Sequence, residues 1–129
     1  MYRLSLRSEK NLRGVHGDLC QVIRRALTIS KVDFAVIEGL RTVERQRELV
    51  SKGASKTMNS RHLTGHALDI VPYIDGEIRW DWPPYYEIAD AVKQAAKELN
   101  IPVEWGGDWK SFKDGPHWQL SRSKYPSGE

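Results

Sequence analysis

Hydrophobic residues recur every three or four positions in two parts of the chain, and this spacing predicts two amphipathic helices. The first covers 8–30 with Ser8 as a plausible N-cap, although two early glycines leave a later start open. The second covers 85–100 and stops before Pro102, because the residue preceding a proline is pushed out of the helical region. Their apolar faces comprise Leu12, Val15, Leu19, Ile23 and Ala26, and Ile88, Val92, Ala95 and Leu99.

Four short apolar runs predict the strands of a sheet. The runs are 33–39, 67–71, 103–105 and 117–120, and the last should alternate between inward and outward side chains. The dipeptide Asp75-Gly76 between two extended segments predicts a small hairpin.

A charged stretch between the first two strands, at 43–53, predicts a further helix with Leu49 and Val50 facing inward. A loop is expected over 53–59, and a loop or short strand over 60–65. Of the five tryptophans, Trp105 and Trp118 are expected to fill the core.

The length of 129 residues predicts a single domain that buries roughly two thirds of its unfolded surface. We expect the core to extend over about 8–120, the tail 121–129 to be flexible and the protein to be a monomer. Cys20 is the single cysteine and is expected to pack in a helix, so neither an intramolecular disulfide nor a cysteine-based zinc cluster is predicted.

The formal charge of +3, from 20 basic and 17 acidic side chains, is too small and too evenly spread to indicate nucleic-acid binding. A mild positive field would favour approach to an anionic cell wall. The sequence shows neither a signal-peptide pattern nor an apolar stretch of membrane-spanning length. We therefore expect the protein to stay in the cytoplasm of the producing cell, without stable membrane association.

Three side chains in two remote segments form a candidate metal site. His62 and Asp69 lie seven residues apart, and His117 follows near the end of the chain. Two imidazoles and one carboxylate suit zinc, and three protein ligands leave a fourth position open, as in catalytic sites. An acid within the apolar run 67–71 is costly to bury unless a cation lies beside it. Asp114, three residues before His117, is placed where a general base would be expected.

His66 offers an alternative ligand, because two histidines four residues apart on a helix form a known zinc-binding pair. The residues between His62 and His66 lack the glutamate of that motif, and Gly65 argues against a helix here. We therefore favour His62, with His66 as a residue that lines the cleft.

Both segments resemble one enzyme family. The segment from Ser60 to Asp69 reads Ser-Arg-His-Leu-Thr-Gly-His-Ala-Leu-Asp and fits Ser-x-His-x-x-Gly-x-Ala-x-Asp, while Asp114 to His117 fits acidic-x-x-His. This pair of motifs resembles the zinc D,D-peptidases (peptidase M15) that include VanX and VanY. The aspartate at position 114, the short chain and the Trp-Gly-Gly-Asp-Trp stretch are most similar to the L-alanyl-D-glutamate peptidases of phage endolysins.

The resemblance implies an α+β fold of the hedgehog/D,D-peptidase type, with a small, mainly antiparallel sheet, helices packed on one side and zinc in a groove. It assigns the metal to His62, Asp69 and His117, and the general base to Asp114. It also implies a substrate-binding role for Arg41, which follows Gly39 as in related enzymes. Ser60 and Gln46 are further candidates for substrate binding, and Trp109, in a Gly-rich loop, could form a cleft wall that packs on sugar or peptide.

The substrate implied by the resemblance is the stem peptide of peptidoglycan, cut between L-alanine and D-glutamate in phage lysis, after release of the enzyme through a membrane pore. The sequence leaves three alternatives open: D-alanyl-D-alanine carboxypeptidase or dipeptidase activity, a non-catalytic hedgehog-like binding module, and a purely structural zinc.

Overall fold

The computed structural model describes residues 2–126, and it contains four helices, five strands and two short 3₁₀ turns within that range. The helices are α1 Leu6–Asn11, α2 Gly17–Ile29, α3 Val43–Ser51 and α4 Trp82–Leu99. The strands are β1 Phe34–Glu38, β2 Ala67–Ile74, β3 Glu77–Ile78, β4 Val103–Trp105 and β5 His117–Leu120, and the 3₁₀ turns are Arg61–Thr64 and Gly106–Asp108. Among the described helices, none has the length and apolar character needed to cross a membrane.

The sheet is antiparallel throughout, in the order β1-β2-β5-β4, with β3 paired to the end of β2. Helices α2 and α4 pack together and against one face of the sheet. Residues on that face belong to the apolar core and include Leu68, Ile70, Trp118 and Leu120. The expected α+β fold with a small antiparallel sheet is thus confirmed.

The predicted N-terminal helix is two helices. Ser5 caps α1, and the Nδ1 atom of His16 caps α2 by accepting a hydrogen bond of 3.0 Å from the backbone N–H of Asp18. The chain turns at Gly14, whose φ of +83° ends any continuous helix. Ser8 is therefore not an N-cap; its buried hydroxyl accepts from the backbone N–H of Val36 on the edge strand β1.

Three other local predictions need correction. Helix α4 begins at Trp82, earlier than expected, because prolines are tolerated in a first turn that has no hydrogen-bonded N–H groups. At its other end, Leu99 was expected on the apolar face but is 37% exposed. All four residues of β5 are buried, since the cleft side of this strand is covered as well as its helix side.

A β-bulge in β1 changes which side chains face the cleft. Val36 pairs with Ile70, but Glu38 pairs with Asp69, so Ile37 is an extra residue in this strand. Residues directly opposite in an antiparallel pair share a face. The bulge therefore turns Glu38 to the side of Asp69, which is the face away from α2 and α4.

The same face carries a row of polar residues across three strands. On β5, His117 pairs directly with Asp69, so Glu38, Asp69 and His117 lie side by side. Asp69 alternates along β2 with Leu68 and Ile70, whose side chains enter the core. The sheet thus separates an apolar helix side from a polar cleft side.

Residues after β5 return to the body of the protein. Arg61, which is buried, donates hydrogen bonds of 2.8 Å to the carbonyl groups of Leu120 and Tyr125. The Tyr125 hydroxyl donates to Asp18 at 2.7 Å. The rest of the expected flexible tail, residues 127–129, lies outside the described part of the chain.

Gly65 ends the 3₁₀ turn that carries His62, and we predict that a side chain at this position destabilises the folded protein. Its φ is +77°, and a Cβ would lie 2.3 Å from the carbonyl oxygen of Gly14. Gly53 has a φ of +76° but no atom within 4 Å of its Cβ position, so Gly53→Ala is a matched control. When urea unfolding is measured with a chelator present, Gly53→Ala should lower the free energy of unfolding by about 1–2 kcal/mol, because of backbone strain alone.

Gly65→Ala should lower the free energy of unfolding by about 1–3 kcal/mol more than Gly53→Ala does, because the backbone of Gly14 must also move. Equal losses in the two variants would contradict the close approach of Gly65 to Gly14.

Candidate metal centre

Three potential ligands converge at the middle of the sheet. His62 comes from the 3₁₀ turn Arg61–Thr64, Asp69 from β2 and His117 from the first position of β5. The Oδ1 atom of Asp69 lies 3.3 Å from Nε2 of His62 and 3.4 Å from Nδ1 of His117. One atom from each of the three residues lies within 4.8 Å of the others, so the group could hold a metal ion.

The distances between these atoms fit ligands around one ion. Zinc bonds of about 2.0–2.1 Å in tetrahedral geometry place neighbouring ligand atoms about 3.3–3.4 Å apart. Nitrogen to oxygen hydrogen bonds are usually shorter, at about 2.7–3.2 Å. Asp69 Oδ1 is buried and has no hydrogen-bond partner within residues 2–126. A cation between this oxygen and the two ring nitrogens would satisfy it.

The outer nitrogen of each imidazole is fixed by an acceptor. His62 Nδ1 lies 2.9 Å from the carbonyl oxygen of Gly39, and His117 Nε2 lies 2.8 Å from Oε1 of Gln119. An oxygen acceptor requires the proton on that nitrogen, so in the neutral imidazole the lone pair is on the nitrogen that faces Asp69. Both tautomers therefore suit metal binding.

Electrostatics couple the three groups. Burial alone would raise the pKa of Asp69, but its interactions with His117 and His62 outweigh burial and hold that pKa well below its usual range. Burial would lower the pKa of His117, but the neighbouring Asp69 carboxylate outweighs it and raises that pKa. Since a metal binds the neutral imidazole, binding at this site should release protons and weaken at low pH.

Arg41 lies beside the metal-binding group with most of its guanidinium already bonded. Its Nε donates to Glu38 at 2.7 Å and its Nη1 donates to Oε1 of Gln46 at 2.7 Å. Its Nη2 lies 3.9 Å from Oδ2 of Asp69. The arginine is therefore held in one orientation, with Nη2 directed towards the candidate metal site.

Gln46 lies behind Arg41 and does not line the cleft, unlike the sequence expectation. Its side chain is 0% exposed, and its Nε2 donates to Ser55 Oγ at 2.8 Å and to the Thr57 carbonyl oxygen at 2.5 Å. Leu49 and Val50, expected to face inward from α3, are only half-buried, and Gln46 is the buried residue of this helix. Gln46 thus connects Arg41 to the loop 53–59.

Asp114 reaches the cleft because its loop packs closely on Gly106. The backbone N–H of Asp114 donates to the Gly106 carbonyl at 3.0 Å. A Cβ at Gly106 would lie 2.3 Å from the Asp114 carbonyl oxygen and 3.1 Å from Cβ of His117. Burial raises the pKa of Asp114, and the charge of Asp69 raises it further. A carboxyl with a raised pKa is better matched to general base chemistry than an ordinary one.

The cleft around these groups has a volume of about 780 Å³. Ser60 and Trp109 both line it. The Ser60 hydroxyl also accepts from the backbone N–H of His62 at 3.2 Å and so caps the 3₁₀ turn. The Trp109 ring lies 5.1 Å from the ring of His117.

Other candidates from the sequence lie away from this group. His66 forms a 2.7 Å hydrogen bond between Nδ1 and the Thr64 hydroxyl, and its ring lies beside that of His16. Asp108 forms an ion pair of 2.8 Å with Lys93 of α4. Trp105 and Trp118 stack on each other in the core, as predicted.

Two residues with clear contacts at this site were missed from the sequence. Glu38 faces the cleft only because of the bulge in β1, and no sequence pattern marks that bulge. Gln119 could have been found, since it follows His117 by two residues on a strand and therefore shares its face.

Comparisons with known proteins agree on one family. A family model described as phage L-alanyl-D-glutamate peptidase matches residues 1–123. The chain is similar to the L-alanyl-D-glutamate peptidase of Escherichia phage T5, with 37% identity over 98% of this chain and 95% of that one. It also resembles the crystal structure of the Serratia marcescens L-Ala D-Glu endopeptidase ChiX, with 56% identity, a TM-score of 0.91 and coverage of 96% and 94%.

A more distant likeness concerns the fold alone. The vancomycin resistance D,D-dipeptidase VanXYg matches with a TM-score of 0.54 and 18% identity, over 82% of this chain and 50% of that one.

We predict that His117→Ala abolishes tight zinc binding, because it removes one of three ligands and leaves Asp69 buried beside a single imidazole. Zinc affinity can be measured by competition with a coloured chelator, and the wild type should bind one ion per chain. His66→Ala is the matched control: it removes an imidazole that lies outside the group, so zinc affinity should stay within about twofold. Undiminished zinc binding by His117→Ala would remove this residue from the ligand set.

Proposed function

Because the chain belongs to the phage L-alanyl-D-glutamate peptidase family, we propose that it cuts the bond between L-alanine and D-glutamate in peptidoglycan stem peptides, with a zinc ion held by His62, Asp69 and His117. Membership of this family makes the chain a peptidase that acts on peptidoglycan. The scissile bond, the identity of the metal and the roles of individual residues are the added proposal.

The observation that carries the proposal is the buried Asp69 oxygen between two imidazoles whose lone pairs face it. Burial of a carboxylate oxygen on a central strand is costly unless positive charge lies beside it, and a metal ion between the two imidazoles would supply that charge. A zinc ion there would act as a Lewis acid on the scissile carbonyl and lower the pKa of a water molecule.

Asp114 is the proposed general base. It would take a proton from the attacking water and later deliver it to the nitrogen of the leaving D-glutamate. Support comes from its place in the cleft with the three ligands and from a raised pKa, which lets the carboxyl both accept and return a proton. Gly106 holds the Asp114 backbone close to His117 and so limits the movement of the base.

Arg41 is the proposed donor to the substrate carbonyl. Glu38 and Gln46 engage two of its nitrogens, so Nη2 is the nitrogen directed towards Asp69 and the reacting group. A charge-assisted hydrogen bond from this atom would stabilise negative charge that develops on the carbonyl oxygen. Ser60 and Trp109 supply the adjoining walls of the substrate cleft.

The family and the relative from phage T5 support a role in lysis of the host cell wall. We propose that the enzyme is made in the cytoplasm and reaches peptidoglycan through a membrane pore formed by another protein, and that it acts as a monomer.

Purified muropeptides with complete stem peptides test the proposed reaction. Wild-type protein should release a peptide that begins with D-glutamate, which mass spectrometry of the fragments identifies. A chelator should stop the release and added zinc should restore it. Release of D-alanine instead would favour a D,D-carboxypeptidase, and binding without cleavage would favour a binding module.

We predict that Asp114→Ala lowers kcat by at least about a hundredfold while the fold and the zinc affinity are kept, because it removes proton transfer but no metal ligand. Asp108→Ala is the control: it removes an exposed acid of a neighbouring turn that pairs with Lys93, and kcat should change less than about twofold. Full activity of Asp114→Ala with zinc bound would defeat the assignment of the base.

A further inference from the structure

Five positively charged side chains line the cleft, and four of them are engaged by other groups of the protein. Arg41 is bonded to Glu38 and Gln46. Arg61 donates to the carbonyl groups of Leu120 and Tyr125, and Arg122 donates to the carbonyl group of Asn59. The Lys56 ammonium group lies over the ring of Phe112.

Lys113 is the fifth cation of the cleft. Within residues 2–126, no hydrogen bond, ion pair or ring contact engages its ammonium group. It is exposed, and it directly precedes the proposed base Asp114 in the chain. Its charge is therefore available to a ligand in the cleft.

The chemistry of the proposed substrate calls for a cation at this place. In stem peptides, D-glutamate continues the chain through its side-chain carboxyl group, so its α-carboxyl group stays free. The α-carboxyl carbon is two bonds from the leaving nitrogen, about 2.5 Å away. Asp114 must come within about 3 Å of that nitrogen to protonate it. The substrate carboxylate thus lies close to Asp114, and the repulsion between them while Asp114 is still ionised, before it takes the proton from water, must be offset.

We propose that Lys113 binds the free α-carboxylate of the D-glutamate residue and thereby makes the enzyme selective for stem peptides in which this group is not amidated. The inference rests on the proposed function and adds a specificity residue to it. Arg41 is the proposed donor to the scissile carbonyl, and two of its nitrogens are already bonded within the protein.

The experiment compares two synthetic stem peptides, one with D-glutamate and one with D-isoglutamine, which carries an α-carboxamide. Wild-type enzyme should show the higher kcat/KM on the carboxylate peptide. Lys113→Met should lower kcat/KM about two- to fivefold on the carboxylate peptide, as expected for a partly screened ion pair, and much less on the carboxamide. Lys113→Arg should keep the preference.

Lys110→Met is the matched control, since it removes the same charge from an exposed position three residues away that does not line the cleft. It should leave the preference unchanged. In the wild type, rising ionic strength should reduce the preference for the carboxylate peptide, and in Lys113→Met it should have little effect.

Equal losses on both peptides for Lys113→Met, or no loss on either, would overturn the assignment. A preference that disappears in Lys56→Met but persists in Lys113→Met would move the role to Lys56 and also overturn it. Failure of the wild type to cut either peptide at the L-alanyl bond would instead refute the proposed function, so the two failures are distinguishable.

Discussion

The functional site depends on one carboxylate of the central strand that has a buried oxygen. Asp69 sits on the central strand β2, pairs with Glu38 on one side and His117 on the other, and has an oxygen that faces two imidazole nitrogens. Because an isolated buried carboxylate is costly, this oxygen needs positive charge from protonated histidines or from a metal ion. The contacts of His62 with Gly39 and of His117 with Gln119 fix the outer proton of each ring, so the neutral imidazoles would present their lone pairs to a metal ion at this oxygen.

The residues around Asp69 restrict the conformations that each candidate functional group can adopt. The bulge in β1 turns Glu38 to the cleft, where Glu38 and Gln46 hold Arg41 from two sides. Gly106 lets the base-bearing loop lie against the start of β5. Each of these three features fixes the position of a residue that is proposed to contact the substrate.

The sequence indicated the candidate functional residues better than it indicated the residues that hold them in position. His62, Asp69, His117 and Asp114 were predicted from two short motifs, and Asp69 stands out further as an acid within an apolar run. The strands and α4 follow from local patterns, as does the Asp75-Gly76 hairpin, both of whose turn residues have positive φ.

What the sequence did not predict depends on contacts between remote segments. The bulge at Ile37 is a matter of pairing with β2, and the burial of Gln46 follows from the way a loop folds over α3. Likewise, the division of the N-terminal helix is set by the passage of Gly65 against Gly14, 51 residues earlier in the chain. The periodicity of hydrophobic residues cannot predict contacts between remote segments, because it describes one segment at a time.

The buried Arg61 has a consequence for how the ion would arrive. It neighbours His62 in the chain and is bonded to the carbonyl of Leu120, at the end of the strand that begins with His117. The two ligand-bearing segments are therefore tethered to each other by the protein alone. An incoming ion would meet donors that are already assembled, so little chain entropy would remain to be lost on capture and the empty and filled forms would share one backbone.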